Sequence, residues 1–599
     1  MTSTLARGVD RVPGTSERPS ATRSALPALA LLLLAGFVFR LTIAHIIFPG
    51  SGFESDIGTY KYWATLLAEV GPGQFYASAD FADYPPGYLY ILWICGLIAK
   101  FATEAGFGTD NDGTLLIKLP SMIADIGVAY LLYRMVRGWA GAHAEQGRSA
   151  VRLGLIAAAL YLFNPVTWYD SAIWGQTDAV GAVVMLGAVA LLLRGHSEGA
   201  TAIAVLAGVI KPQFGVVLVP VVIAVLLRRH LIARGSGPPH RPRLPRPIAD
   251  WMEREQGWPR LITSGVVGLV VLLVLITPFG FSIPSFIGFL ARTASGYQYL
   301  SVNAYNLWAL IGGGGTPSLA TDGQWSSDTV ALVGPLSGVI IGTVLLAIGF
   351  LAGFIRLLWR ADRWSIVLVT TFLCLCFFIL PTRVHERYIF PVFAFLPILA
   401  VAARKWRWAL LALAVGSFMN LHAILTIPLY ATPNIEDLLL GPTFHTYPFV
   451  VLSALLQFGA FLFVAWQLRR AGLRVPDPLA RVLAVGTRWR PPVFTGAGTP
   501  ALAMAAAEPE AVRDASATPG GSRTVDEGRS WELPSIGALT WFEDRLRVQR
   551  SRRDRSAELA GEPHGRLDRL DVFILLLIIV SALVLRTYRL GEPYGMHFD

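Results

Sequence analysis

Residues 25–48 read ALPALALLLLAGFVFRLTIAHIIF, an apolar run interrupted by Arg40 and His45. About 20 apolar residues are enough for a helix to cross the hydrocarbon core of a bilayer. The run is too long and too evenly apolar for a cleaved signal peptide, so we expect it to be retained as a membrane span. Comparable runs recur as far as residue 468, and a final one lies at 572–587. This pattern decides the fold class, because it is typical of a helical protein that crosses the membrane many times.

The composition agrees with this interpretation. Of 599 residues, 54% are hydrophobic and only 15% are charged, whereas soluble domains carry about 25% charged residues. This excludes a soluble enzyme, a disordered chain and a collagen-like chain. We therefore expect an all-α polytopic membrane protein, with a bundle of about 12–13 membrane helices and one further C-terminal span. The net charge of +10 is explained by cytoplasmic loops rather than by nucleic acid, which we do not expect as a partner.

Basic residues in the loops predict the orientation. Loop 228–260 and the turns at 356–363, 404–407 and 469–474 are rich in arginine, and such loops stay in the cytoplasm. The N-terminus is then cytoplasmic as well, and loop 49–85 faces outside. The sequence indicates an integral, multi-pass protein of the plasma membrane.

The number of crossings between residues 86 and 229 is left open by the sequence. Six apolar runs lie there, but the charge pattern requires an odd number of crossings. One alternative is that 86–102 is re-entrant. The other is that 199–229 is a single helix broken at Lys211.

Composition also predicts the domain boundaries. Residues 1–24 form a polar cytoplasmic tail, and residues 25–470 form one membrane module. Residues 471–570, rich in Pro, Gly, Ala, Ser and Arg, are typical of a partly disordered cytoplasmic linker. Residues 571–599 resemble the first span and the start of the outer loop of a second, truncated module.

Two acidic segments lie in the first outer loop. Glu54 and Asp56 follow the first span, and the next residues carry Tyr60, Trp63 and Leu67 at helical spacing. A helix lying in the membrane interface would hold the acidic pair at a fixed depth. The pair is therefore a candidate catalytic base or metal ligand, against the alternative of a solvated loop. Asp83 and Tyr84 precede two prolines that are suited to the first turn of a helix.

Polar residues within or beside apolar runs form the other candidate clusters, because a charge at membrane depth needs a partner or a function. Gln176 and Asp178 enter a span from its outer end, although Asp178 alone is also a good helix cap. Lys211 and Gln213 interrupt a long apolar stretch; the alternative for Lys211 is a side chain that extends to the membrane surface.

A charged motif lies between two apolar runs near the outer surface. The segment Arg383-Val384-His385-Glu386-Arg387-Tyr388 places its two arginines four residues apart. If the segment is helical, they share a face and form a phosphate clamp. His385 and Glu386 would then hydrogen-bond sugar hydroxyls. The alternative is a short charged loop.

Together these clusters indicate glycosyl transfer from a polyprenyl-phosphate sugar. An outer carboxylate would deprotonate an acceptor hydroxyl, and cations would neutralise the leaving phosphate. The sequence contains neither a Walker A motif nor a dinucleotide-binding fingerprint.

A family resemblance points the same way. The segments SDIGTYKYW (55–63) and DYPP (83–86) resemble the first outer loop of eukaryotic dolichyl-phosphate-glucose glucosyltransferases, which are GT-C fold enzymes. WGQTD (174–178), KPQ (211–213) and HERY (385–388) are similar to bacterial relatives of that group. Residues 586–599 resemble the start of a protein O-mannosyltransferase-type module, with Asp599 as its first acidic residue.

The resemblance implies a GT-C-like bundle and an inverting transferase that moves glucose or mannose to a glycan, lipid or protein acceptor. Asp56 would be the general base, and the His385 segment would face the donor phosphate and sugar. No cofactor is firmly implied, although some GT-C relatives bind a divalent cation through a similar acidic motif, so Glu54 and Asp56 leave a metal possible.

Two other functions remain open. One is a flippase or transporter of lipid-linked sugars, which suits broken helices and a lysine at depth. The other is a non-catalytic membrane scaffold for the downstream transferase module.

Overall fold

The computed structural model describes residues 25–107, 110–140, 147–233, 257–312, 317–427, 435 and 438–471. The protein is an all-α, multi-pass membrane protein, as the composition predicts. Within the described residues, eight helices are long and apolar enough to cross a membrane, or nine if one bent pair counts as a span. The expected 12–13 crossings are approached only with three shorter apolar helices at 178–193, 197–210 and 363–379.

The first half of the chain contributes the helices that position the polar residues. They are α1 Ala25–Leu41, α2 Glu54–Val70, α3 Pro72–Ser78, α4 Pro86–Glu104, α5 Asp110–Ala140, α6 Gly147–Leu162, α7 Pro165–Trp168, α8 Asp178–Leu193, α9 Ser197–Ile210 and α10 Pro212–Leu227. Single π-helical turns extend α1, α7 and α10.

The second half continues the bundle. Its helices are α11 Pro259–Ile276, α12 Ile283–Ala294, α13 Leu319–Asp322, α14 Gly338–Trp359, α15 Arg363–Ile379, α16 Val392–Ala402, α17 Lys405–Leu425, α18 Gly441–Phe444 and α19 Tyr447–Arg470. In the described part of the chain, the only strands are Ala331–Val333 and Leu336–Ser337, which pair antiparallel.

The candidate residues and the basic turns lie at opposite ends of the bundle. Helices α8 and α10 begin beside Asp178 and Lys211, which contact each other, at what we call the cluster end. Helix α10 runs away from this end to Arg228, and α14 runs away to Arg356. This separation is what the distribution of loop charges predicts.

Helix α4 clarifies the open crossing between residues 86 and 229. Its start packs against the end of α9, since an added Cβ at Gly87 would lie 2.6 Å from the backbone of Val209. Farther along, Gly96 packs against the backbone of Ala64 in α2. The following helix begins beside α2 again, with Gly113 near Lys61. Helix α4 thus packs along α2 and close to the start of α5, an arrangement that agrees with the re-entrant alternative.

A buried ion pair ties the first span to the bundle. Arg40 Nε donates to Asp125 Oδ2 at 2.7 Å, and neither side chain is exposed to solvent. The other carboxylate oxygen accepts a hydrogen bond from Tyr161 at 2.7 Å. Arg40 also donates to the carbonyl of Leu162 at 2.9 Å. Charge pairing and added hydrogen bonds are what a buried arginine requires.

Three segments of the predicted domain organisation lie outside the described residues. These are the tail 1–24, the linker apart from residue 471, and the C-terminal segment 571–599. Their boundaries, and the description of 25–470 as one module, stay predictions.

Candidate functional site

Helix α2 presents Asp56 toward the bundle. Glu54 and Asp56 lie in its first turn, where acidic side chains favour the positive end of the helix dipole. Asp56, Tyr60 and Trp63 follow helical spacing, and the two aromatic side chains are buried. Glu54 lies on the exposed surface instead. The structure therefore brings Asp56, and not Glu54, to the cluster end of the bundle interior.

Two side chains from one turn hold the carboxylate of Asp56. Trp174 Nε1 donates to its Oδ2 at 3.1 Å, and the side-chain amide of Gln176 donates to the same oxygen. Between these two residues the chain turns at Gly175, whose φ of 85° lies in the left-handed region that favours glycine. This turn aims both donors at one atom.

Gln176 also connects Asp56 to a second ion pair. Its Oε1 accepts from Tyr60 at 3.1 Å and from Lys211 Nζ at 3.2 Å. Lys211 pairs with Asp178 at 3.2 Å, because an extended residue at the junction of α9 and α10 lets its side chain enter the bundle. Asp178 is thus an ion-pair partner and not the helix cap, since the N-cap residue of α8 is Thr177.

Tyrosines close one side of this network. The hydroxyls of Tyr60 and Tyr84 lie 2.7 Å apart, and Lys211 Nζ lies 5.1 Å from the centroid of the Tyr84 ring. Burial raises the pKa of both tyrosines, so both keep their protons at neutral pH. They can therefore act as hydrogen-bond donors.

Arg387 completes the cluster from the far half of the chain. Its Nη1 lies 3.8 Å from Asp56 Oδ2 and 2.9 Å from Glu386 Oε1. Burial lowers the pKa of Arg387, but Asp56 and Glu386 outweigh burial and hold that pKa well above its ordinary value. Burial raises the pKa of Glu386. We call the set defined by these contacts the polar cluster: Asp56, Tyr60, Tyr84, Gln176, Asp178, Lys211, Glu386 and Arg387.

Arg383 is not a neighbour of Arg387 in a clamp. Its φ is 65°, so the segment is not α-helical at this residue. The Arg383 guanidinium instead binds Asp328 through two hydrogen bonds, of 2.7 and 3.2 Å. The predicted phosphate clamp required the two arginines to share a helical face, and this described segment does not provide one. Each arginine instead has a different carboxylate partner.

His385 and Tyr388 form the rim beside Arg387. The ring of His385 packs edge-on against Tyr297, with centroids 4.9 Å apart, and against Tyr388 at 5.2 Å. Burial, with help from Arg387 and Lys211, lowers the pKa of His385 well below its ordinary value. The imidazole is therefore neutral and available as a hydrogen-bond donor or acceptor.

The remaining candidates lie around the cluster. Asp83 is half-buried, and desolvation raises the pKa of its carboxyl group. Gln213 is buried, with its side-chain nitrogen unpaired within the described residues. Across those same residues, no group of three or more His, Cys, Asp or Glu side chains is arranged to hold a metal ion.

Three residues of this region, Tyr60, Trp174 and Asp170, were not predicted as site residues. Tyr60 lies one helical turn from Asp56, so the i, i+4 spacing was a usable signal. Trp174 was visible only as part of a motif. Asp170 is fully buried, with neither carboxylate oxygen paired to a described residue. Its place in the mostly apolar segment 166–174 was a usable signal, because a charge at membrane depth needs a partner or a function.

Hydrogen-bonding capacity is left over in this region. Within the described residues, Glu386 Oε2, Arg387 Nε and Asp178 Oδ2 are buried and have no partner. Such atoms are costly unless a ligand or water bonds them. Two cations face three carboxylates in the cluster. This balance suits neutral hydroxyl groups better than a phosphate.

One comparison with known proteins adds information about the family. Residues 78–301 match the family model of the GPI transamidase subunit PIG-U. The match covers less than half of the chain and includes Asp83, Gln176 and Lys211, but not Asp56 or Arg387. No curated protein matches the chain significantly.

The match overturns the glycosyltransferase assignment. The matched family is a subunit of a transamidase, not a sugar transferase. The assignment to polyprenyl-phosphate-dependent GT-C enzymes, the hexosyltransferase activity and the polyprenyl-phosphate sugar donor were therefore wrong. The motifs behind the assignment are real features of the sequence, but single carboxylates and Arg pairs also occur in binding sites without chemistry. The segment that resembles an O-mannosyltransferase module lies outside the described residues and the matched range.

Proposed function

We propose that this chain is a non-catalytic membrane subunit that holds a glycolipid for a partner enzyme, in an assembly of the GPI transamidase type. The observation that carries the proposal is the match of residues 78–301 to a subunit of that enzyme. This role retains the scaffold function left open by the sequence and adds a ligand. The partners are then the other proteins of the assembly and the glycosylphosphatidylinositol (GPI) substrate.

The polar cluster supports a holding role for its residues. Asp56 Oδ2 accepts hydrogen bonds from Trp174 and Gln176 and forms an ion pair with Arg387, so these three side chains fix the carboxylate in place. Fixed polar groups at the end of a rigid bundle are suited to orienting a ligand. In this proposal the free atoms of Glu386 and Arg387 hydrogen-bond hydroxyls of the glycan.

Residues next to the polar cluster would orient the bound lipid. Asp83 and Gln213 flank the cluster, and His385 and Tyr388 form its rim. The basic turns lie at the opposite end, so by the positive-inside rule the cluster end faces the non-cytoplasmic side. The plasma membrane expected from the sequence stays a prediction.

Photo-cross-linking tests this function. The full chain, purified in lipid nanodiscs, is irradiated with a GPI analogue that carries a diazirine on its glycan. We expect labelling near residues 174–178 and 385–388, strong reduction in the Asp56→Asn variant, and no change in the Asp80→Asn control, since Asp80 is exposed. Chemical conversion of the analogue by the isolated chain would overturn the non-catalytic role. Equal labelling of Asp56→Asn and Asp80→Asn would overturn the assignment of the cluster as the holding site.

A further inference from the structure

A cavity opens at the cluster end, beside the polar cluster. It has a volume of about 590 Å³ and lies between the segment after α3 and helix α12. Typical ligand pockets have volumes of about 300–1,000 Å³. We call it the aromatic pocket and define it by six of its lining residues: Tyr76, Phe81, Asp83, Phe289, Arg292 and Tyr297.

Its aromatic wall is preformed. The ring of Tyr76 packs edge-on against Phe281, with centroids 4.8 Å apart, and against Phe289 at 5.5 Å. Its hydroxyl donates to the carbonyl of Tyr84 at 2.5 Å. The backbone of Phe81 is held by Trp63, whose Nε1 donates to its carbonyl at 2.8 Å. Rigid rings of this kind attract cations through their faces.

Two opposite charges line the same pocket. Asp83 is half-buried, whereas Arg292 is exposed at the mouth. Within the described residues, no hydrogen bond or ion pair joins either side chain to another side chain. Desolvation raises the pKa of Asp83, which a cation beside it would reverse. The pocket thus has a negative interior, an aromatic wall and a positive rim.

Helix α12 places the rim at the depth of lipid headgroups. Phe286 and Phe289 are buried on one face, Ile287 is 61% exposed, and Arg292 lies in the last turn. A short amphipathic helix with this pattern lies in the membrane interface. Its start is fixed by a capping box between Ser282 and Ser285. The mouth of the pocket therefore faces phospholipid headgroups.

We propose that the aromatic pocket binds the headgroup of a zwitterionic phospholipid. The ammonium group lies against Asp83 and the rings of Tyr76, Phe81 and Tyr297, and the phosphate binds Arg292. Aromatic cages recognise ammonium groups, and guanidinium groups recognise phosphate. A neutral sugar leaves both charges unused, and an anionic lipid without an ammonium group places no cation beside Asp83. This inference does not depend on the proposed function.

Lipid retention in native mass spectrometry tests the proposal. The full chain is delipidated in detergent and titrated with phosphatidylcholine, phosphatidylethanolamine, phosphatidylglycerol or galactosyldiacylglycerol of identical acyl chains. We expect the two zwitterionic lipids to bind at least about tenfold more tightly than the other two. Equal retention of phosphatidylglycerol or of the neutral glycolipid overturns the headgroup assignment. A soluble phosphocholine arm distinguishes the source: competition as strong as that by the whole lipid overturns a membrane lipid as ligand.

Variants test whether Asp83 and Arg292 each contribute to headgroup binding. Asp83→Asn and Arg292→Ala each remove the preference for zwitterionic lipids, whereas Asp80→Asn and Arg134→Ala, at exposed positions outside the pocket, retain it. Because Arg292 is on the surface, its variant keeps the fold and the test remains decisive if Asp83→Asn is unstable. Unchanged preference in Arg292→Ala contradicts the proposal.

Discussion

The side-chain amide of Gln176 donates a hydrogen bond to the carboxylate of Asp56, 120 positions earlier in the chain. The oxygen of the same amide accepts from Lys211. Gln176 therefore joins the Asp56–Arg387 pair to the Lys211–Asp178 pair. One neutral residue couples two ion pairs that approach from four different parts of the chain.

Replacing Gln176 by Ala should disconnect the two pairs. A hydrogen bond to a charged group contributes about 1.5–3 kcal/mol, so we expect affinity for the GPI analogue to fall about 10–100-fold. The measurement is a titration of photo-cross-linking on the purified chain. Gln74→Ala, at an exposed position in α3, is the matched control. Equal affinity in the two variants contradicts a central role for Gln176.

The Arg40–Asp125 pair should dominate the local stability of the first span. Arg40→Ala leaves Asp125 buried without its cation, which we expect to cost about 3–5 kcal/mol. The double variant Arg40→Met with Asp125→Leu removes both charges and should recover most of that loss. Thermal unfolding in detergent measures both, with Arg134→Ala at an exposed position as the control. A double variant less stable than Arg40→Ala contradicts this account.

Contact between α2 and α4 should be limited by glycine. A Cβ added at Gly96 would lie 1.9 Å from the carbonyl oxygen of Ala64, so Gly96→Ala should destabilise the protein by about 1–3 kcal/mol. Gly58 lies on the exposed side of α2 with nothing within 4 Å. Gly58→Ala should therefore stabilise the helix by about 0.5–1 kcal/mol. Melting temperatures that change in the same direction for both variants are inconsistent with this packing.

Retention of zwitterionic lipid should depend on pH through Asp83. Only the carboxylate form attracts an ammonium group, and desolvation raises the pKa of Asp83. Binding should therefore be full at neutral pH and be lost as the pH falls through a value above the ordinary range of aspartate. Arg387, Lys211 and Asp56 also act on this carboxyl group.

Native mass spectrometry between about pH 4 and pH 8 measures this dependence, and both ordinary and raised carboxyl pKa values fall within or near that range. Burial raises the pKa values of Tyr76 and Tyr297, so these two tyrosines do not titrate in that range. Asp83→Asn should give weak binding with no pH dependence. A pH dependence that persists in Asp83→Asn assigns the effect to another group.

Apolar patterning was sufficient to predict the fold class. Runs such as 25–48 exceed the length needed to cross a bilayer, so all-α polytopic architecture follows directly. The exact crossings did not follow, because α4 is as apolar as a span yet packs along α2. Hydropathy alone does not distinguish a helix that crosses the membrane from an apolar helix that packs along its neighbours.

The residues that gather at the candidate site were easier to predict from the sequence than the contacts between them. Asp56, Lys211 and Arg387 stood out because charges beside apolar runs need partners. Their pairing through Gln176 did not, since it depends on how distant helices meet. Arg383 shows the limit, because a four-residue spacing predicts a shared face only in a helix and its φ of 65° is not helical.

Function was the least predictable part. Carboxylates, a lysine and arginines at a membrane surface are compatible with both catalysis and binding. The residues alone favoured chemistry, and the match of residues 78–301 to a transamidase subunit favours binding. Residue types do not distinguish a base from a hydrogen-bond acceptor.

Reconstitution distinguishes a subunit that holds a glycolipid from one that catalyses a reaction on it. The purified full chain is placed in proteoliposomes with a radiolabelled GPI analogue and an acceptor peptide, and bound lipid and reaction products are both quantified. We expect saturable lipid binding that Gln176→Ala weakens, with no product formed unless a catalytic partner is added. Product formed by the chain alone, and abolished by Asp56→Asn, would contradict this expectation.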